Sequence, residues 1–116
     1  MQLTLPYPPS ANHYWRHVVI GRRASTLLSK EAREFRANVI AAVGLSPPQL
    51  TGRLGVCIAV YPPDRRRRDI DNIQKPLLDA LGHAGIYADD SQIDRLETTR
   101  ECCVAGGKVE VTVTEL

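Results

Sequence analysis

The 116-residue sequence has no apolar stretch approaching the ~18 residues that a helix needs to cross a bilayer. Its opening, MQLTLPYPPS, places Pro6, Pro8 and Pro9 where a signal peptide needs a continuous apolar run, so a cytoplasmic protein with no membrane association is expected. Cysteine is scarce: Cys57, Cys102 and Cys103 are odd in number and lack C-x-x-C spacing or a Cys/His cluster, which argues for reduced structural thiols and against a zinc site. Repeats and low-complexity tracts are absent. Aromatic residues make up only 5%, beside 43% hydrophobic and 24% charged residues. That composition is ordinary for a globular protein, and the length fits one domain spanning residues 1–116 and not two.

What is abundant is arginine, which supplies twelve of the fifteen basic residues. The net charge of +2 hides a segregation: residues 1–63 carry seven basic and two acidic side chains, whereas residues 64–116 carry eight basic and eleven acidic ones. The planar guanidinium fork binds phosphate bidentately, so this bias suits a nucleic-acid partner. High genomic GC content produces the same bias, and composition alone does not separate the two.

The side-chain pattern predicts an α+β fold of order β-α-β-α-β-β, a mixed sheet with helices on one face. Gln2 to Leu5 reads as a short strand, followed by a rigid loop, PYPPSAN. Residues 12–26 mix aromatics and bases around Gly21 and suit an exposed hairpin or arm. Ser29 caps a helix whose stripe is Ala32, Phe35, Val39 and Ala42/Val43, and Gly44 ends it. Leu54, Val56, Ile58 and Val60 alternate with small residues in a strand stopped by Pro62 and Pro63. Ile70, Ile73, Leu77 and Leu81 form a second helical stripe; because Pro76 is comfortable only in a first turn, the regular helix starts near residues 72–75 and the preceding Asp-Ile-Asp is extended or irregular. Two last strands, around residues 93–102 and 108–114, read as a hairpin about Ala105-Gly106-Gly107, with Val109, Val111 and Val113 facing the core.

Residues 62–90 carry the chemistry. Arg65, Arg66, Arg67 and Arg68 run directly into Asp69-x-Asp71, and Asp89-Asp90 follows a helix later. Carboxylates at i and i+2 would stand about 200° apart on a helix but point the same way on an extended chain, where Asp69 and Asp71 can share one ion. A hard divalent cation such as Mg²⁺ takes oxygen ligands and keeps several waters, so two or three carboxylates suffice, with Asp90 the third. Lys75, one turn after Asp71, is placed to contact a scissile phosphate; equally, Asp71, Lys75 and Asp79 have the spacing of an ordinary exposed ion-pair ladder. An Asp-x-Asp motif is weak alone, and an arginine run alone reads as a solvated loop. Their adjacency strengthens both, since bases that hold a polyanion stand beside acids that can hold the metal needed to cut it. Tyr14 and Trp15 beside Arg16 could stack on unpaired bases or pack the loop onto the sheet. His13, His17 and His83 are dispersed and read as surface residues.

The pattern D-R-R-R-R-D-x-D-N-x-x-K-x-x-x-D-A-L, then G-I-Y-x-D-D, resembles the RusA-type Holliday junction resolvases, and L-P-Y-P-P-S-A-N at residues 5–12 is similar to that family's opening phrase. These phrases spread over most of the chain. The resemblance implies a small magnesium-dependent endonuclease acting on branched DNA, with Asp69, Asp71 and Asp90 as metal-binding catalytic aspartates and Lys75 as catalytic lysine. It also implies a homodimer that nicks a four-way junction symmetrically, with Mg²⁺ and no small-molecule cofactor. Arg65 to Arg68, with Arg16, Arg22 and Arg23, would supply phosphate contacts. The other readings are a non-catalytic nucleic-acid-binding module, in which Asp-x-Asp is merely a helix cap, and a phosphatase-like hydrolase with a deep pocket.

Overall fold

Helices and strands form close to where the periodicity places them. The computed structural model describes residues 1–116, ordered β1 (Gln2–Pro6), α1 (Ala11–Tyr14), β2 (Trp15–Ile20), β3 (Arg23–Leu28), α2 (Lys30–Val43), β4 (Leu54–Tyr61), α3 (Gln74–His83), β5 (Ile93–Arg100) and β6 (Lys108–Glu115), with short 3₁₀ turns at Ile70–Ile73 and Asp90–Gln92. The Ser29 hydroxyl accepts a hydrogen bond from the Ala32 N–H at 3.0 Å, and Gly44 closes α2 with φ of +95°. Pro76 lies in the first turn of α3, where its missing N–H costs no helical bond.

Four strands make a mixed sheet in the order β1-β6-β4-β5, with β4 and β5 parallel and the other pairs antiparallel. Leu54, Val56, Ile58 and Val60 of β4 and Val109, Val111 and Val113 of β6 point to one face, where Phe35 and Val39 of α2 and Leu77, Ala80 and Leu81 of α3 cover them. Each such aliphatic side chain gains about 1.5–3 kcal/mol on burial, so this seam is the main source of stability. The opposite face, with Cys57, Ala59, Glu97, Glu110 and Thr112, is open. The fold is therefore α+β with helices on one face, as expected. No helix is long and apolar enough to cross a membrane.

Two expectations need correction. The last two strands do not form a hairpin, because β4 lies between them and bonds to both. The segment joining them crosses the end of β4, with the Glu101 N–H bonded to the Val60 carbonyl at 2.7 Å and the Val104 N–H to that of Pro62 at 3.0 Å. β4 is buried along its whole inner face and gains from a partner on each edge, whereas β5 is mostly exposed and suits the sheet margin. The second correction concerns Asp69-Ile70-Asp71. Only Asp69 is extended (φ −78°, ψ 136°); Asp71 already belongs to a 3₁₀ turn, closed by bonds from the Asn72 N–H to the Asp69 carbonyl and from the Gln74 N–H to the Asp71 carbonyl. The chain tightens there as it enters the helix that Pro76 begins, a common use of 3₁₀ geometry.

The candidate active site

Beyond β4, Pro62 and Pro63 release the chain into the arginine loop, which folds around Asp64. The Asp64 carboxylate accepts from the Arg66 N–H at 2.9 Å and from Arg68 Nη1 at 2.7 Å. Those bonds, that of Arg68 first, lower its pKa to about 2. The Arg68 guanidinium also lies 5.9 Å from the Tyr7 ring, and its carbonyl accepts from Arg100 Nη2 at 2.5 Å. Arg68 is thus spent on shaping the loop. Arg66 is held loosely, 3.8 Å from Asp64, while Arg65 and Arg67 are exposed and have no carboxylate partner. All four arginines line one recess with Tyr7, Asp69 and Arg100.

Asp69 stands at the cap position of the 3₁₀ turn, yet its side chain makes no capping hydrogen bond, which removes the view of Asp-x-Asp as a mere helix cap. Neither Asp69 nor Asp71 enters any of the protein's ion pairs, and both are exposed. Lys75, in the first turn of α3, is also free of carboxylates; its Nζ lies 5.4 Å from the centre of the Trp15 ring. The alternative Asp71–Lys75–Asp79 ladder does not form, and Asp79 is taken elsewhere. Its Oδ2 accepts from the Tyr14 hydroxyl at 2.5 Å and from Arg36 Nη2 at 2.6 Å, and Arg36 Nε donates to the Tyr14 oxygen at 2.9 Å. Tyr14, fully buried, cannot stack on DNA bases; burial, then the bond to Asp79, pushes its pKa up to about 12. This cluster ties α1, α2 and α3 together. The only sequence signal for it is a polar Arg36 next to the apolar stripe of α2.

The Asp89-Asp90 pair divides its tasks. Asp89 caps the second 3₁₀ turn, its Oδ1 accepting from the Ser91 N–H at 2.9 Å, while Gln92 Oε1 accepts from the Asp89 N–H at 3.1 Å in a reciprocal capping box. The bonds from Ser91 lower the Asp89 pKa. Asp90 is exposed, unpaired, and lines a recess with Asp79, His83 and Tyr87. Within the single chain, Asp69, Asp71 and Asp90 are not drawn into one cluster of three metal-ligating side chains. Three bare carboxylates repel one another, so a cation would supply the attraction that draws them together. Arg16, Arg22 and Arg23 lie exposed on and around the β2–β3 hairpin without acidic partners.

A family model described as "Endodeoxyribonuclease RusA" matches residues 6–114. The chain belongs to the RusA family. It is 38% identical to the crossover junction endodeoxyribonuclease RusA of Escherichia coli (strain K12), over 98% of this chain and 93% of that protein. It is 38% identical to the enzyme of the same name from Enterobacteria phage HK97, over 99% of this chain and 94% of that one. Enterobacteria phage 82 carries a further relative of the same name at 38% identity. The matched RusA region contains the arginine loop, both aspartates of the 3₁₀ turn, Lys75 and Asp90.

Proposed function

We propose that this chain, acting as one endonuclease domain, is a magnesium-dependent enzyme that resolves four-way Holliday junctions by paired symmetric nicks, leaving 5′-phosphate and 3′-hydroxyl ends. One observation carries the reading: Asp69 and Asp71 stand exposed and unpaired directly after an arginine loop, with Lys75 equally free of carboxylates in the first turn of the helix that follows, in a chain of the RusA endodeoxyribonuclease family.

The donor set suits a hard divalent cation, being carboxylate oxygens with no other engagement, and Asp69 and Asp71 would hold it with Asp90 as the third contributor. When bound, such a cation makes the phosphorus more electrophilic and water more acidic. Lys75 places an ammonium group one helical turn beyond Asp71 and neutralises the negative charge that develops on the phosphoryl oxygens. Arg65, Arg66 and Arg67 grip neighbouring phosphates without reading bases, so they set register and leave shape to decide the substrate. One site per chain and two nicks per junction require a two-fold homodimer, acting on DNA in the cytoplasm.

The test is incubation of the purified full chain with an end-labelled synthetic four-way junction, with and without Mg²⁺. Paired nicks that DNA ligase can seal, appearing only with the metal, are expected. Binding without cleavage under every metal condition would establish the non-catalytic DNA-binding module instead.

A further inference from the structure

The β2–β3 hairpin carries a combination that cleavage chemistry leaves unexplained. Its strands form a separate two-stranded sheet, and none of their residues joins the hydrophobic core. Val19 and Ile20 at its far end are 74% and 65% exposed. An isolated hairpin gains little from burying its own faces, so folding does not account for apolar side chains there. The hairpin bears Arg16, Arg22 and Arg23 and no acidic residue; the first carboxylate of the chain is Glu31. The turn has φ of +64° at Gly21 and no positive φ at Arg22, the pattern of a type II′ turn, which keeps the strands in register out to Val19 and Ile20.

Alternation along the strand sets Trp15, His17 and Val19 on one face. At the base of that face Trp15 lies against Lys75, and His17 lines the same recess. At ~3.4 Å per residue, Val19 stands ~14 Å from Trp15. The hairpin therefore runs outward from the candidate catalytic lysine to a turn at Gly21 and Arg22, with Arg23 paired to Ile20 beside it and the exposed Val19 and Ile20 directly behind the turn.

We infer that this hairpin is a branch-sensing wedge: its end enters the centre of a DNA junction edge-on, with Val19 and Ile20 on its two faces lying against the base pairs on either side, while Arg16, Arg22 and Arg23 hold the converging phosphates. The inference rests on the reading of Asp69, Asp71 and Lys75 as the cleavage site and adds how branched DNA is told from duplex. Apolar side chains inserted at a base step must unstack it, and that cost is least where pairing is already disturbed. Arginine contacts to phosphate favour both forms of DNA alike, so discrimination falls to the tip. A second copy meeting it hairpin to hairpin is a poorer occupant, because that two-fold contact would set the same three arginines against themselves.

The experiment uses the full-length protein and the Val19→Ser/Ile20→Ser variant, which keeps every charge, in metal-free buffer. Mobility shifts on a four-way junction and a linear duplex give the junction preference, and 2-aminopurine placed beside the branch point reports unstacking. Expected are a rise in 2-aminopurine fluorescence with the wild type, its loss in the variant, and a roughly tenfold fall in junction preference with an unchanged salt dependence. An unchanged preference, or no fluorescence rise with the wild-type protein, would overturn the inference. So would light scattering that shows the variant as a monomer where the wild type is a dimer, since the tip would then be a subunit interface. Failure of the wild type to cut any junction with Mg²⁺ refutes the cleavage reading separately, because the wedge is read by binding and fluorescence alone.

Discussion

Asp69 keeps its carboxylate free at a cap position and Asp71 keeps its own free within the turn that follows, whereas Asp89, at the cap of the second 3₁₀ turn, spends its own on Ser91. The free pair is the one expected to hold metal. Asp69→Asn and Asp71→Asn should abolish cleavage while leaving junction binding intact or tighter, because under the proposed function each would remove a metal ligand and a negative charge facing DNA. Cleavage and mobility-shift assays on one preparation check this; parallel loss of binding would mean that the residues shape the fold. Lys75→Ala should slow cleavage at little cost in stability, since an exposed ammonium over the half-buried Trp15 ring contributes about 0.5–1 kcal/mol. Single-turnover rates with a urea melt separate the two effects, and a wild-type rate would remove Lys75 from the chemistry. At this scale the candidate residues were legible from their types and spacing, but their freedom was not. Whether Lys75 joins an ion-pair ladder depends on Asp79, and Asp79 is claimed by Tyr14, 65 positions away in sequence.

Among the elements, the arginine loop most needs its three-dimensional context. Four identical side chains in a row look equivalent, yet Arg68 is folded back on Asp64 while Arg65 and Arg67 project freely. Replacing Arg65 and Arg67 by Ala should lower the slope of log affinity against log salt by up to ~2 on duplex arms, about 0.9 for each phosphate that is no longer neutralised, and equally on every DNA sequence. Titrating salt against affinity for wild type and double variant decides it; an unchanged slope would make the run a solvated loop and shift the DNA face to Arg16, Arg22 and Arg23. Helix α2 lies at the other extreme. Its cap at Ser29, its buried Ala32, Phe35 and Val39 and its stop at Gly44 are all local features, so the pattern alone marks its limits. The hairpin β2–β3 lies between these cases, suggested by Gly21 among aromatics and bases but given its strand limits only by pairing.

For the whole molecule, the decisive feature is the connection that carries the chain from β5 across the end of β4 to β6. It passes so close to the rest of the fold that a Cβ on Gly107, at φ of +70°, would stand 2.9 Å from the Tyr7 Cβ and 3.0 Å from the Pro63 Cδ. Gly107→Ala should therefore cost about 2 kcal/mol or more through overpacking and a left-handed backbone. Gly106→Ala, at φ of +78° with open space around it, should cost only the ~1–2 kcal/mol of backbone strain. Urea unfolding of the two variants side by side checks the difference; equal costs would mean that the crossing is looser than described.

Neighbours within one or two turns suffice to enforce the α+β class, the capped helix from Ser29 to Gly44, the start of α3 at the turn holding Pro76, the valine faces of the sheet, and the carboxylates and bases that could act on DNA. Each of these follows from periodicity or from a backbone restriction that a single residue imposes. Tertiary structure alone decided that β4 separates β5 from β6, that Asp79 closes on Tyr14 and Arg36, and that Arg68 folds back on Asp64. Several strand orders would satisfy the same alternation, and several bases could satisfy the same acid. Only simultaneous packing of the sheet and its helices selects among them.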